Sequence, residues 1–436
     1  MRYLFPVLIF LWISFSLQSQ DCEQAGRTPA EVLAHRKDLL SLMDSTSALV
    51  MKAAEADDDI DIDPYRQNPD FLYLTGIDDP GYKVIFCPAG YTLGNSIKKV
   101  LIFTYPYQMH LPVILSETDT LLNDKFFEPI LSGIVKNLKT LYYSPVPKLY
   151  NDWVNGKVVI TEREMKKAFE QAHQGVKLKP AQKLFASLRQ VKTAQEIVLL
   201  SQAIAITREG ILSVMSRCKP GMYEYELQAI IEYEAKRRGA ESMAFTSIIG
   251  SGANSLIPHY DKNNCRMNKG EIAVMDIGAR YGAYCADISR TIPVSGKFSD
   301  DQKIIYQAVL DIQKAVIDMV KPGITMSDLD AKTGQLTRKA GYGHYILHGV
   351  THPLGIVVHD VSRGDTLKPG MVITVEPGIY IPVNDTVQPV MRRGFGVRIE
   401  DDILVTADGH EVLSREIPKE VAEIEKLMKK KSQKQP

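Results

Sequence analysis

The sequence predicts a mixed α/β protein with two domains, of which the second contains a duplicated unit. In the first part, apolar strand-like runs alternate with amphipathic helical stretches, which is typical of an α/β domain. In the second part, a helix–turn–helix pattern occurs twice, and a strand-rich segment with acidic residues follows each copy. These two observations place the chain in the α/β (α+β) class.

Length and composition set wide limits on function. A chain of 436 residues has room for two or three domains and a large core. Apolar residues make up 45% of the chain, which argues against disorder, and charged residues make up 24%, which favours solubility. Basic and acidic residues are equal in number, 52 each, so the charge balance gives no reason to expect a nucleic acid as partner.

The N-terminus has the pattern of a secretory signal peptide. Arg2 is followed by an apolar stretch over residues 3–17 and then by polar residues. The stretch is short for a membrane span and is interrupted by Pro6, although an uncleaved anchor is the alternative. We therefore predict a signal peptide over residues 1–19 and an exported protein, periplasmic or secreted, with no stable membrane span after cleavage.

Residues 27–180 are predicted to form the N-terminal α/β domain. A helical apolar pattern covers residues 29–54, and a polar, lysine-rich segment at residues 177–183 suits the domain boundary. A long amphipathic helix begins near Ala194. The strand-like runs of the domain are at residues 83–87, 99–105 and 139–144.

Residues 194–420 are predicted to form the second domain, with an internal duplication. Lys219-Pro220-Gly221 is matched by Lys321-Pro322-Gly323, and each triplet follows one apolar helical pattern and precedes another. The Pro-Gly pair ends the first helix, and acidic residues begin the second. Residues 421–436 are predicted to be a basic tail.

Five polar residues of the second domain lie in or beside apolar, strand-like runs. Four carboxylates and an imidazole in one protein interior would be costly unless cations bound them. A glycine-bearing turn between the first two acids predicts a hairpin that brings both carboxylates to one face. We place the last two acids on a second strand pair. We place the histidine on a strand between the two pairs. We interpret the set as the shell of a two-metal site: Asp276, Asp287, His352, Glu376 and Glu400.

The ligand set predicts which metals would bind. An oxygen-dominated shell favours Mg²⁺ or Mn²⁺, and the single imidazole shifts the prediction towards two Mn²⁺ ions, with Zn²⁺, Co²⁺ or Fe²⁺ as alternatives.

The words around these residues are "MDIG", "ADISRT", "HGxxHxxG…HD", "VEPGIYI" and "RIEDD", in that order. This ordered set resembles the metallopeptidase family that contains aminopeptidase P, prolidase and methionine aminopeptidase, and the resemblance covers roughly residues 27–420. It implies a creatinase-like N-terminal domain without metal ligands, followed by the "pita-bread" fold, a curved antiparallel sheet backed by two helix pairs. A homo-oligomer is implied by the resemblance alone.

The resemblance also implies roles for the metal shell. Asp287 and Glu400 would bridge two metals, Asp276 would chelate one, and His352 with Glu376 would hold the other. A metal-bridging hydroxide would attack the peptide carbonyl, and Glu376 would carry the proton to the departing amine.

Further residues match the family's substrate cleft. His259 and His359 would hydrogen-bond the substrate or the tetrahedral intermediate, and His348 would support the site, although a lone histidine is often only a core or surface residue. Arg398 would pair with the carboxylates, and Tyr380 would shape the pocket. We therefore assign catalytic roles to His259, His359, Glu376 and Arg398, and substrate binding to His259, His348, His359 and Tyr380.

The predicted activity is hydrolysis of the N-terminal Xaa-Pro bond of peptides that have proline in second position. Methionine aminopeptidase is disfavoured because it usually lacks the N-terminal domain. The alternatives are an Xaa-Pro dipeptidase (prolidase) and a non-catalytic binding protein on the same fold. A dipeptidase must grip the carboxylate after proline, but Arg398 is expected to pair within the site and Arg392 and Arg393 to face solvent, which favours the aminopeptidase.

Overall fold

The computed structural model describes residues 28–54, 65–105, 113–144 and 162–429. The predicted signal peptide lies outside the described residues. The N-terminal part alternates helices and strands, as predicted. In chain order its elements are α1 (Pro29–Leu42), β1 (Ser47–Lys52), α2 (Pro69–Thr75), β2 (Lys83–Leu93), β3 (Ser96–Thr104), β4 (Asp119–Asn123), α3 (Phe127–Val135), β5 (Thr140–Tyr143), α4 (Glu162–Ala172), β6 (Lys177–Pro180) and α5 (Gln182–Arg189).

A six-stranded mixed sheet with the strand order β4-β3-β2-β1-β5-β6 organises this part. Strand β1 pairs antiparallel with β2 and parallel with β5. Successive residues of a strand face opposite sides of the sheet. Ile85 of β2 therefore packs with Phe127 of α3 on one face, whereas Phe86 packs with Leu39 of α1 on the other.

The helix predicted for residues 29–54 is too long. Helix α1 ends at Leu42, and the remaining apolar residues form the central strand β1. A turn at Asp44 separates the two, because its side-chain Oδ1 accepts a hydrogen bond from the Thr46 backbone N–H at 2.7 Å. This local bond ends the helical pattern, and the β-branched and long apolar residues that follow fill the middle of the sheet.

The C-terminal part contains two helix pairs and several short antiparallel strand pairs. In chain order its elements are α6 (Ala194–Arg217), α7 (Glu224–Lys236), β7 (Ser242–Met243), β8 (Ile248–Ser251), β9 (Ile272–Ile277), β10 (Ala279–Tyr281), β11 (Tyr284–Cys285), β12 (Ile288–Pro293), α8 (Asp300–Ile317), α9 (Met326–Lys339), β13 (Val372–Val375), β14 (Gly378–Ile381), β15 (Phe395–Arg398), β16 (Asp401–Val405), β17 (His410–Val412) and α10 (Val421–Lys429).

The duplication is visible as the helix pairs α6–α7 and α8–α9. Each pair turns at a Lys-Pro-Gly triplet whose glycine has a left-handed backbone, with φ of +95° at Gly221 and +89° at Gly323. A residue with a Cβ atom is strained in this conformation, which explains why both turns use glycine. Helix α6 begins where predicted, with Thr193 accepting a hydrogen bond from the Glu196 backbone N–H.

Two antiparallel strand pairs bring the four predicted acidic ligands together. In β9–β12, Asp276 lies opposite Ser289, and Asp287 directly precedes β12. In β13–β16, Glu376 directly follows β13 and Glu400 directly precedes β16. Each pair therefore presents two carboxylates near one of its ends.

The two parts share a hydrophobic core. The cluster that covers one face of the N-terminal sheet contains Phe71 and Phe86 from that part, together with Leu199, Leu354 and Val372 from the C-terminal part. All five side chains are buried. The N-terminal sheet thus obtains part of its apolar cover from the domain that carries the acidic residues.

The segment predicted to be a basic tail begins with a packed helix. Helix α10 contacts α6 and α8, and Ile424 is fully buried. Glu425 accepts a hydrogen bond from the Phe298 backbone N–H at 3.1 Å and pairs with Lys303. The prediction of a tail overlooked an amphipathic helix, because its basic residues outnumber its one buried apolar residue, Ile424. Residues 430–436 lie outside the described residues.

Candidate metal centre

All the predicted site residues except Tyr380 line one cleft of about 580 Å³. Phe245, Ile248 and Pro258 contribute apolar surface to it, whereas the predicted metal ligands form a polar cluster. Tyr380 lies behind this surface, where it contacts His348 and Arg398. The structure therefore brings together the residues that the sequence analysis selected from a span of more than a hundred positions.

His352 does not lie on a strand, in contrast to the prediction. It precedes Pro353, which forms only an isolated bridge with Ile373. The backbone N–H of His352 donates to the Thr374 hydroxyl, and its carbonyl accepts from the Thr374 N–H at 3.0 Å. Because Pro353 has no backbone N–H to donate to a neighbouring strand, the chain leaves the sheet here and forms a loop.

The imidazole of His352 is oriented as a metal ligand would be. Its Nδ1 lies 3.1 Å from the Pro353 carbonyl oxygen, which can only accept, so Nδ1 carries the proton. Its Nε2 lone pair then faces Oδ2 of Asp287 and Oε1 of Glu376, each at 3.5 Å. A lone pair turned towards two carboxylate oxygens is repelled by them unless a cation or a proton lies between.

Three of the ligands converge most closely. Ligand atoms of Asp287, His352 and Glu400 all lie within 4.8 Å of one another. In the described part of the chain, Oδ1 of Asp276 and Oε1 of Glu400 are also buried without a hydrogen-bond partner. Buried carboxylate oxygens normally have a donor, so these atoms are available to coordinate a cation.

The electrostatics of the cluster point the same way. Burial and the charges of neighbouring carboxylates raise the pKa of Asp287 and of Glu400 well above the usual range. Burial, followed by the charge of Asp276, raises the pKa of Glu376 to about 8. Burial lowers the pKa of His352 to about 4. The site thus disfavours carboxylate charge, which divalent cations would offset, and keeps the imidazole neutral, which is the form that binds a metal.

A hydrogen-bonded chain lies behind the ligands. Arg398, almost fully buried, donates to Oδ2 of Asp276 at 2.7 Å and to the Tyr380 hydroxyl at 2.9 Å. Nδ1 of His348 faces the Gly349 carbonyl oxygen at 2.7 Å, so its Nε2 accepts from the Tyr380 hydroxyl, also at 2.7 Å. The arginine therefore fixes one oxygen of a ligand and orients the tyrosine and histidine at the wall of the cleft.

The other two histidines occupy the cleft as predicted. His359 stacks on His352 with ring centroids 4.0 Å apart and an interplanar angle of 19°. His259 lies in the loop after β8, and the preceding residue, Pro258, accepts a hydrogen bond from Arg398 at 3.3 Å. Both imidazoles therefore adjoin the acidic cluster, where a peptide carbonyl would meet them.

The sequence did not identify the residues that hold the predicted ligands in place by hydrogen bonds. Ser289 donates to Glu400 at 2.9 Å and accepts from Arg398 at 2.8 Å. Arg290 is fully buried, pairs with Asp401 at 2.7 Å and also donates to the Glu400 carbonyl oxygen. These residues stand in the words "ADISRT" and "RIEDD", so their closeness to the ligands in sequence was the available signal.

The fold and the site together define a metallopeptidase with a candidate site for divalent cations. Comparison with family models identifies the branch: metallopeptidase family M24 matches residues 198–407, and the N-terminal domain of aminopeptidase P matches residues 33–110. The chain belongs to metallopeptidase family M24 and has the aminopeptidase P order of domains. The predicted family and its pita-bread fold are confirmed.

Individual relatives agree with this placement. An Xaa-Pro aminopeptidase of Haemophilus influenzae is 32% identical over 400 residues, which cover 84% of this chain and 89% of the relative. An Xaa-Pro dipeptidase of Pyrococcus furiosus is 38% identical over 233 residues, covering 52% of this chain and 64% of the relative. The solved structure of Escherichia coli aminopeptidase P with the inhibitor Pro-Leu has a TM-score of 0.79 at 28% identity and covers 93% of this chain and 99% of that one.

Proposed function

We propose that the protein is a metallo-aminopeptidase that hydrolyses the N-terminal Xaa-Pro bond of peptides. The observation that carries the proposal is the Nε2 lone pair of His352, which faces two carboxylates at the floor of a peptide-sized cleft. The relatives named as Xaa-Pro aminopeptidases, which match over most of the chain, support the substrate class. An Xaa-Pro bond has no N–H for an ordinary peptidase to grip, so a dedicated cleft is needed.

The residues that would hold two divalent cations are Asp276, Asp287, His352, Glu376 and Glu400. When bound, such cations lower the pKa of a water molecule and polarise the carbonyl of the substrate. We propose Mn²⁺ because oxygen ligands dominate, with Zn²⁺, Co²⁺ and Fe²⁺ as competitors. A Zn-substituted aminopeptidase P of Escherichia coli is among the similar structures, which supports divalent metal binding in the family.

The chain's own side chains bind and orient the substrate in this proposal. His259 and His359 donate hydrogen bonds to substrate oxygens, which stabilises the charge that develops on them. Glu376, at the edge of the ligand cluster, carries a proton to the departing amine. Arg398 fixes Asp276 and, through Tyr380, holds His348 against the cleft.

The arginines of the last hairpin favour an aminopeptidase over a dipeptidase. Arg392 pairs with Asp301 of α8 at 2.8 Å, and Nε of Arg393 donates to the Gln388 carbonyl oxygen at 2.6 Å. Both side chains are half-buried, with part of each in contact with solvent. With Arg398 committed to Asp276, each of the three has a partner within the protein, and none is dedicated to the carboxylate of an Xaa-Pro dipeptide.

A length series tests the proposal. With the first two residues constant and Mn²⁺ fixed, we expect Xaa-Pro-Xaa and longer peptides to give a higher kcat/KM than the Xaa-Pro dipeptide. A tenfold preference for the dipeptide, about 1.4 kcal/mol in transition-state binding, would make the enzyme a prolidase. Cleavage of Xaa-Ala-Xaa at an equal rate would remove proline specificity.

The metal requirement has a matched pair of variants. His352→Ala should lose activity and metal content by elemental analysis, whereas His344→Ala, an exposed histidine outside the cleft, should keep both. Chelation should abolish the activity of the wild type, and Mn²⁺ should restore it. Full activity in metal-free protein would exclude the proposed chemistry and leave a binding protein as the alternative.

We also propose that the protein is exported and forms a homo-oligomer; the first rests on the N-terminal sequence pattern and the second on family resemblance alone. Among the described helices, α6 alone is long and apolar enough to cross a membrane, and half of its apolar window is buried in the core. Mass spectrometry of protein from its native host should find a mature start near Gln20 or Asp21. An intact Met1 on cytoplasmic protein would contradict export. Light scattering would give the oligomeric state.

A further inference from the structure

The loop between His352 and His359 is folded around one buried carboxylate. The backbone N–H of Asp360 donates to the Pro353 carbonyl oxygen at 2.9 Å, which closes the loop. A Cβ atom on Gly355 would lie 1.9 Å from Oδ2 of Asp360, so the loop backbone runs directly against this carboxylate. The position of Asp360 therefore sets the relative position of the two stacked imidazoles at the loop ends.

Two basic side chains, one at the end of α5 and one between α5 and α6, hold this carboxylate. Nη2 of Arg189, at the end of α5, donates to Oδ1 of Asp360, and Nζ of Lys192 lies 3.4 Å from Oδ2. The side chains of Arg189, Lys192 and Asp360 are only 2%, 1% and 1% exposed. Charges this deeply buried are stable only when paired, so the carboxylate has little freedom to move.

The same arginine reaches into the N-terminal domain. Nη1 of Arg189 donates to Oδ1 of Asp70 in α2 at 2.5 Å. The guanidinium thus spans two carboxylates with two different nitrogens, a geometry that a lysine cannot reproduce. Asp70, Arg189 and Asp360 come from sequence positions far apart, and they connect the domain without metal ligands to the residue after His359.

We propose that Asp70 and Arg189 are positioning residues for His359. The N-terminal domain then sets the geometry of the catalytic cleft through the buried ion pairs Asp70–Arg189–Asp360. The role in turnover rests on the proposed function, but the effect on the loop does not. Loss of Arg189 leaves Asp360 with only Lys192 and the Val361 backbone N–H as partners, and the loop that carries His359 gains freedom. A displacement of about 1 Å at a reacting group can lower the rate a hundredfold.

A double-mutant cycle tests this positioning role on the full-length protein. Arg189→Met should lower kcat/KM for an Xaa-Pro-Xaa peptide by roughly tenfold or more in the wild type, but by less than about twofold in a His359→Ala background, because the effect acts through that imidazole. Asp70→Asn, which keeps the shape of the side chain, should show the same coupling with a smaller loss. It also serves if Arg189→Met does not fold.

The matched control is Arg36→Met. Arg36 is equally buried and pairs with Asp119, but its partners lie within the N-terminal domain. Hydrogen–deuterium exchange of peptides covering residues 353–361 should be faster in Arg189→Met than in the wild type and unchanged in Arg36→Met. Equal exchange in the loop, or losses in kcat/KM that add fully to that of His359→Ala, would overturn the positioning role. A wild type that is inactive on Xaa-Pro peptides would refute the proposed function. The exchange experiment would still decide whether Arg189 restrains the loop at residues 353–361.

Discussion

Glu224 fastens the loop that carries His259, and its replacement is the sharpest stability test that the structure offers. It is the first residue of α7 and is fully buried. Oε1 accepts from the Ser251 backbone N–H and hydroxyl, both at 2.7 Å, and from the Asn254 amide at 3.0 Å. Oε2 accepts from the Tyr260 hydroxyl at 3.0 Å and the Cys265 backbone N–H at 2.9 Å. Five donors therefore converge on one carboxylate.

The substitution Glu224→Gln keeps the shape but must fail on one side. If the amide nitrogen replaces Oε2, it meets the Cys265 N–H; if it replaces Oε1, it meets the Ser251 N–H. In either orientation a buried backbone donor faces another donor, which costs about 1–3 kcal/mol, and the remaining bonds lose their charged acceptor at about 0.5–1 kcal/mol each. The expected loss in the free energy of unfolding is about 3–7 kcal/mol.

Urea denaturation of the full-length protein measures this loss, and Glu226→Gln on the same helix is the control. Glu226 accepts one exposed hydrogen bond from the Tyr223 N–H at 2.7 Å, so its substitution should cost less than about 1 kcal/mol. Variants of Glu224 that fold should also lose kcat/KM, because the loop carries His259. If the two variants differ by less than about 1 kcal/mol, the five contacts do not hold the loop and the reasoning fails.

Three further outcomes follow from the charges and burial described above. Since burial raises the pKa of Glu376 to about 8, this group is protonated at pH 7 in metal-free protein. Binding of Mn²⁺ should therefore release about 0.9 proton from it, and the affinity for Mn²⁺ should rise as the pH increases from 6 to 8. Calorimetry in buffers of different ionisation enthalpy checks this, and heats that do not depend on the buffer would contradict it. Burial raises the pKa of Cys285 to about 12, so iodoacetamide at pH 8 should label exposed Cys265 and spare Cys285 in the folded protein; equal labelling rates would count against that environment. Arg290→Met should cost about 3 kcal/mol or more of unfolding free energy by urea denaturation, because it removes a buried partner of Asp401; a loss below about 1 kcal/mol would show that the pair is not needed.

The candidate metal ligands could be selected from the sequence because each one lies in or beside an apolar run. A carboxylate such as Asp276 inside the apolar strand β9 is in conflict with its surroundings, and that conflict is visible in sequence. The two helix pairs were predictable for a similar reason, since a Lys-Pro-Gly triplet both ends one helix and forces a left-handed turn.

Contacts between distant segments could not be predicted. Arg189 meets Asp70 and Asp360 across 119 and 171 residues, and nothing near those positions in the chain indicates the pairing. The strand β1 was mistaken for helix because a short apolar run has no decisive period, and its place at the centre of the sheet depends on tertiary packing. His352 was assigned to a strand because the sequence does not show the contact that folds the following residues into a loop. That loop depends on Asp360, which packs against Gly355.

The core shared between the two parts has a consequence for synthesis of the chain. When the ribosome has completed residues 27–180, the sheet face that bears Phe71 and Phe86 still lacks Leu199, Leu354 and Val372. Most of the chain must emerge before that apolar face is covered, so the nascent N-terminal half carries exposed hydrophobic surface for much of translation. Such a polypeptide is a natural client for chaperones, and it reaches its compact state only after its last third is available.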